Sequence, residues 1–296
     1  MDATVTIGVP IDSVGRSGGT EHAPDALREQ GIAWRVGARD DGDLDVRIRG
    51  DERDPATGVI GIDGVLATTT ALRAAVAERV GRGERVLVLG GCCTVVPGAL
   101  AGVRDAAGMP GFANVDGHVD VYTGVGSPTG EAADMPLGVA LGRDPQAWVR
   151  AAGGPAVTPH DAVVLGARDP EEHADIAGLL AGPLAALEVL SPGALRREGL
   201  AAAGARAAAR LAAGPGRFWV PLDVDVLDER EMPATDYLMP DGLRWDELDE
   251  LLRALCASPA LAGLSLGCVN PEKDPTGDYV ERTAALLEGA LSSGSS

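Results

Sequence analysis

Gly111-Phe112-Ala113-Asn114-Val115-Asp116-Gly117-His118-Val119-Asp120 runs from an apolar segment into two carboxylates and an imidazole. Gly111–Val115 reads as a buried strand of a parallel sheet. In an extended chain, positions i, i+2 and i+4 face one side. Asp116, His118 and Asp120 are therefore expected to converge where that strand ends. Open α/β sheets place their ligands at that end. A mixed oxygen and nitrogen donor set suits Mn²⁺, Fe²⁺, Co²⁺ or Zn²⁺. The competing reading is a surface loop of Asx-turns carrying a solvated histidine.

A second stretch, Pro221-Leu222-Asp223-Val224-Asp225-Val226-Leu227-Asp228, repeats the pattern after the apolar run Arg217–Val220. Asp223 and Asp225 are expected on one face, and two buried like charges are costly unless a cation neutralises them. An acidic loop or a helix cap is the alternative. Two carboxylate clusters that each end an apolar strand favour one shared metal site, with Asp228 as a loop brace. A third stretch, Val86-Leu87-Val88-Leu89-Gly90-Gly91-Cys92-Cys93-Thr94, takes a strand through two glycines toward a helix. The glycines allow a sharp turn or a close backbone approach. A thiol there can ligate a metal, act as a nucleophile or fill the core.

Around these stretches, short apolar runs alternate with longer Ala/Leu/Arg segments. That rhythm predicts a three-layer α/β/α sandwich around a mainly parallel sheet of about eight strands. Expected strands are Thr4–Val9, Arg85–Leu89, Gly111–Val115, Ala162–Gly166, Ala185–Leu190, Arg217–Val224 and Leu261–Leu266, with a weaker one near Leu44–Ile48. Helices are expected to begin near Ala23, Asp63, Val95, Glu131, Pro170, Pro192, Arg244 and Asp278, and Pro192–Ala213 reads as one outer helix. One domain over residues 1–290 is expected, followed by a Ser/Gly-rich flexible tail at residues 291–296.

The charge is −19, with 44 acids against 25 bases. Such a surface repels phosphate backbones and anionic lipid, so nucleic acid and membrane partners are disfavoured. Hydrophobic residues make up 45 % and aromatics 3 %, so the core must be aliphatic. Four cysteines with Cys92 and Cys93 adjacent do not form a disulfide framework. With no signal peptide and no apolar run of ~18 residues, a cytoplasmic protein with reduced thiols is expected.

Taken in order, these segments resemble the arginase/agmatinase (ureohydrolase) family over nearly the whole chain. Ile7–Pro10, Gly18-Gly19 and Pro24–Arg28 are similar to its opening strand, loop and helix. Gly90–Thr94 occupies the place of its Gly-Gly-Asp-His-Ser motif. Asp116–Asp120 resembles Asp-Ala-His-x-Asp, and Leu222–Asp228 resembles Ser/Phe-Asp-x-Asp-x-x-Asp. Val164–Asp169, Gly242-Leu243 and Val269–Pro271 are similar to further family segments. The resemblance implies a binuclear Mn²⁺ centre whose bridging hydroxide attacks a guanidinium carbon. Asp116 and Asp223 would bridge, His118 and Asp225 would complete one site, and Asp120 with Cys93 would serve the other. Asp120, Asp223 and Cys268 fall at catalytic positions. A homo-oligomer, trimer or hexamer, is implied on the same ground.

The departures matter as much. Cys93 stands in place of the family's metal-binding His, and thiolate favours Zn²⁺ or Fe²⁺ over Mn²⁺. The gapless loop from Asp120 to Pro136 puts Ala133 where the family has a proton-relay His. It puts Glu131 and Tyr122 where the family has two Asn, with Thr129 in the same substrate-binding loop. Cys268 replaces the Glu that grips the guanidinium, and Glu171 aligns with an acid that contacts the substrate's amino group. L-arginine is thus disfavoured, and a guanidino or amidino compound without a free carboxylate is expected. The alternatives are a single-metal amide hydrolase of the histone-deacetylase-like kind, and a non-catalytic homologue kept for binding or assembly.

Overall fold

The computed structural model describes residues 3–292. Eight strands form a single sheet: β1 Thr4–Val9, β2 Ala38–Asp43, β3 Arg85–Gly90, β4 Gly111–Val115, β5 Ala162–Leu165, β6 Glu188–Leu190, β7 Phe218–Asp223 and β8 Leu261–Gly267. Their order is β2-β1-β3-β8-β7-β4-β5-β6, and every pairing is parallel. β4, β7 and β8 are buried along their whole length, as expected for parallel strands covered on both faces.

The helices are α1 Ala23–Glu29, α2 Ile32–Arg35, α3 Ile62–Gly81, α4 Val96–Ala107, α5 Pro136–Ala140, α6 Gln146–Ala151, α7 Asp169–Glu172, α8 Ala174–Ala181, α9 Pro192–Glu198, α10 Leu200–Ala213, α11 Trp245–Cys256 and α12 Asp278–Ser292. One packed group joins α3 to α4 and α6, and another joins α10 to α11 and α11 to α12. With helices on both sides of the sheet, the architecture is the three-layer sandwich that the sequence rhythm implied. α11 starts on a capping box in which Arg244 N–H donates to Glu247 at 2.9 Å.

Several expectations need correction. The weak strand lies at Ala38–Asp43 rather than Leu44–Ile48. Val46 and Ile48 do alternate into the core, but the ladder with β1 ends at Asp43. This edge strand is acidic, and Arg28 holds it with contacts of 2.9 Å to Asp40 and 2.6 Å to Asp43. A charged edge discourages pairing with another sheet. The stretch Pro192–Ala213 is two helices, because Gly199 breaks it at φ 93°. β6 is only Glu188–Leu190, since residues 185–187 form a turn. Near Glu131 there is a short 3₁₀ turn at Ala132–Asp134 before α5. Of the expected tail, Leu291 and Ser292 belong to α12, with Leu291 buried, and residues 293–296 lie outside the described residues.

Candidate metal centre

β3, β8, β7 and β4 are consecutive in the middle of the sheet. Cys93 follows β3, Cys268 follows β8, Asp223 ends β7, and Asp116, His118 and Asp120 follow β4. All six therefore collect at the carboxyl end of the central strands, where α/β sheets bind ligands. They line a cavity of about 190 Å³ together with Asp225, Tyr122, Thr129 and Tyr237.

The convergence after β4 is not that of an extended strand. The strand stops at Val115, and Asp120 is left-handed at φ 57°, a conformation few L-residues adopt. The loop is pinned instead by its own hydrogen bonds. His118 N–H donates to Asp116 at 2.8 Å, and the Asn114 amide donates to Asp116 at 3.1 Å. Gly117 N–H donates to Asp225 at 3.0 Å, and Asp225 N–H donates to Asp223 at 3.0 Å. Gly117 is needed here, because a Cβ would sit 2.8 Å from Asp225 Oδ1. Asp223 and Asp225 both face the cavity, and each joins a different group of donors.

One group is Asp116, His118 and Asp225, and the other is Cys93, Asp223 and Cys268; within each, the donor atoms lie within 4.8 Å of one another. Asp120 lines the same cavity without joining either group. His118 Nδ1 is 3.1 Å from Asp225 and 3.8 Å from Asp116. Cys93 Sγ donates to the Ala133 carbonyl at 3.4 Å.

Charge is concentrated here. Asp116 is 2 %, Asp223 3 %, Asp225 3 % and Asp120 9 % exposed. Burial, and then repulsion from the neighbouring acids, push Asp116 well above the ordinary carboxylate range and Asp223 up to about 7. Burial likewise raises Asp120, against a partial offset from His118. Burial opposes the His118 imidazolium, but Asp225, Asp120 and Asp169 outweigh it and raise it to about 10. Burial opposes the Asp225 carboxylate too, yet His118, Arg168 and the Gly117 N–H hold it below its usual range. Cys93 is raised by its hydrogen bond with Cys268 and by burial. At Cys268 that hydrogen bond pulls down, and burial with Asp223 and Asp225 prevails. Carboxylates that repel one another around an imidazole and two thiols form a donor set that a divalent cation would relieve.

The other expected residues are placed as follows. Tyr122 and Thr129 line the cavity. Glu131 does not. It accepts hydrogen bonds from the Tyr237 hydroxyl and from Ser13 Oγ, and it lines a neighbouring cavity of about 210 Å³ with Asp12 and Asp236. The side chain of Glu171 lies outside the described residues. Asp228 accepts from Arg230 N–H at 3.0 Å and braces the loop, as expected.

Besides Pro128, the sequence reading missed four lining residues that carry polar groups: Asp134, Asp169, His173 and Tyr237. Asp169 had a signal, since it closes the segment Val164–Asp169 after β5. It accepts from Val119 N–H at 3.1 Å, and its Oδ1 is buried with no hydrogen-bond partner. Tyr237 had none. It comes from the loop between β7 and α11 and stands edge-on to His118, with ring centroids 6.1 Å apart. Arg168 was also missed as a brace: its buried guanidinium donates to the carbonyls of Asp225, Val226 and Leu227.

A parallel eight-stranded sandwich with an acidic donor cluster at the ends of its central strands defines an α/β protein with a candidate metal site. Residues 2–292 match the sequence model of the arginase family, and the chain belongs to that family. It is similar to the arginase of Brevibacillus brevis, with 26 % identity over 96 % of each chain. The arginase structure from Bacillus caldovelox superposes with a TM-score of 0.88, 26 % identity and 98 % of each chain covered. The agmatine ureohydrolase of Thermoplasma volcanium shares the fold at a TM-score of 0.72 and 18 % identity, over 99 % of this chain and 90 % of that one. Among the described residues no helix is long and apolar enough to cross a membrane.

Proposed function

We propose that this chain is a divalent-metal-dependent hydrolase of linear C–N bonds, acting on a small cationic guanidine or amidine without a free carboxylate. One observation carries the reading. The cavity is lined by Asp116, Asp120, Asp134, Asp169, Asp223 and Asp225, and by no Arg or Lys among the described residues. Such walls concentrate cations and offer a substrate carboxylate no charged partner.

Asp116 and Asp223 would hold the metal ions in common, His118 and Asp225 would complete one position, and Asp120 would serve the other. A bound divalent pair supplies a strong nucleophile near neutral pH by acidifying water. The chain's own residues do the rest. Asp169 offers a buried carboxylate oxygen that lacks a donor, suited to accept an N–H of the substrate. Asp134 is pinned by Thr129 Oγ1 at 2.7 Å and adds negative charge to the wall. Tyr237 closes the side next to His118 and helps exclude water. Glu131 lies behind Tyr237, so discrimination against a carboxylate falls to Asp134 and Asp169 instead.

The test is to strip the protein of metal, reload it with Mn²⁺ or Zn²⁺, and screen guanidines and amidines for release of urea or ammonia. Agmatine-like compounds are expected to outcompete L-arginine. Metal-loaded protein that turns over none of them would overturn the reading and leave a binding or assembly role. A second reading is favoured by one specific observation: Asp116, His118 and Asp225 form a compact donor group of two carboxylates and an imidazole, which suits a single-metal amide hydrolase. One ion per chain with cleavage of acyl amides would establish it.

A further inference from the structure

We propose that Cys268 is a metal ligand, and that Cys93, Asp223 and Cys268 form a thiophilic divalent-metal position beside the Asp116–His118–Asp225 group. The inference rests on the metal-centre reading above and adds to it a ligand and a metal preference. Resemblance alone would place Cys268 where a substrate-gripping carboxylate belongs. The geometry points elsewhere.

The three residues leave the ends of β3, β7 and β8, with β8 between the other two. Asp223 is in register with Gly267 on β8, so Cys268 emerges one residue beyond that pair. Cys268 is itself left-handed at φ 65°, and its N–H donates to the Gly91 carbonyl at 2.9 Å. Gly90 allows the close approach, because a Cβ there would lie 2.7 Å from the Leu266 carbonyl oxygen of β8. The Gly-Gly turn therefore brings the β3 loop against the β8 loop, with Cys93 N 3.0 Å from where a Gly267 Cβ would be. As a result both sulfurs and an Asp223 oxygen lie within 4.8 Å of one another. Ligands on a tetrahedral ion with bonds of about 2.3 Å are spread by about 3.8 Å, so only a small contraction is required. All three residues are buried.

Two thiolates and one carboxylate prefer Zn²⁺ to Mn²⁺, whereas the Asp–His–Asp group accepts either. Each thiol releases its proton to solvent on binding, so loading is favoured as pH rises. The centre is thus asymmetric, soft beside hard, and the wall opposite His118 holds an ion rather than a guanidinium.

Co²⁺ is the probe that reports on sulfur. Titrated into metal-free full-length protein, it is expected to give a near-ultraviolet sulfur-to-Co²⁺ charge-transfer band. Cys268→Ser should remove about half of that band, and so should Cys93→Ser, since each supplies one sulfur of the set. The double variant should remove all of it while keeping the weak visible bands of Co²⁺ on the Asp–His–Asp group. Cys256→Ser, a buried thiol on α11 outside the site, should change nothing. Zn²⁺ affinity at this position should fall in Cys268→Ser by more than the roughly 10–100-fold typical of an outer-shell loss. Co²⁺ bound without the charge-transfer band, a band indifferent to Cys268→Ser, or a Cys93–Cys268 disulfide persisting in metal-loaded protein would each overturn this inference alone. No Co²⁺ bound by any form would overturn the metal-centre reading with it.

Discussion

The two halves of the cavity are held in place by different means. The Asp116–His118–Asp225 half is tied by hydrogen bonds from Gly117, Asn114 and His118 N–H, with Arg168 clamping the carbonyls behind Asp225. The Cys93–Cys268 half is held by Cys93 Sγ donating to the Ala133 carbonyl and Cys268 N–H donating to the Gly91 carbonyl, and otherwise by strand register and the close packing of two loops. The contrast sets what a substitution costs in each half. Removing a group from the first half orphans buried polar partners, at about 1–3 kcal/mol each. The thiols of the second make only weak sulfur hydrogen bonds, so removing one leaves a smaller deficit.

Asp223 belongs to one half and is hydrogen-bonded to Asp225 of the other. Asp223→Ala should thus erase the distinction by abolishing metal at both positions, a larger loss than the roughly 10–100-fold seen for an outer-shell partner. Elemental analysis and calorimetry check this, and one surviving full-affinity ion would show the halves to be independent.

Arg168→Ala should damage the oxygen–nitrogen half only. It strips donors from buried carbonyls at about 1–3 kcal/mol each, and Lys should not rescue it, because only a planar fork reaches several carbonyls. Denaturant unfolding reads the stability. The sulfur-to-Co²⁺ band, if the inference above holds, should survive; its loss would mean that the bracing is shared.

The pH dependence of the metal-free protein sharpens the contrast further. Asp116 and Asp120 are raised, and Asp223 reaches about 7. A group raised on folding stabilises while protonated, and that contribution is lost as pH climbs through its folded value. His118, raised to about 10, has the same sign. Asp225 is depressed, and its stabilisation is already complete above the carboxylate range. The melting temperature of EDTA-treated protein should therefore fall from about pH 5 to about pH 8, and added Mn²⁺ should flatten the curve. A metal-free protein that melts higher as pH rises would contradict the charge crowding.

The smallest effect belongs to Glu131→Asn. Because Tyr237 and Ser13 occupy that carboxylate, the preference for agmatine-like over arginine-like compounds should shift by less than about 1 kcal/mol, the range of a screened charge. A tenfold change in the ratio of kcat/KM values would place Glu131 in contact with substrate after all.

Local sequence was sufficient for the central strands and for most of the acidic and thiol side chains that line the cavity. Apolar runs such as Phe112–Val115 and Phe218–Leu222 cannot stay in water, and each ends on a carboxylate whose burial demands a counter-charge, so strand ends and metal-type residues could be read together. The edge strand at Ala38–Asp43 was illegible, because its acids are held by Arg28 and Arg79 from other elements rather than by any alternation of their own. The break at Gly199 hides in a helix-forming composition. Tertiary structure alone decided how the donors divide. Alternation along a strand placed Asp116, His118 and Asp120 on one face, but the chain leaves the strand at Val115 and turns left-handed at Asp120. Spacing also could not show that Glu131 would be captured by Tyr237, or that Cys268 would meet Cys93 from a strand 175 positions further along. Periodicity reports which face a residue occupies. Which residues share a cavity depends on loops whose paths are set by hydrogen bonds from distant elements.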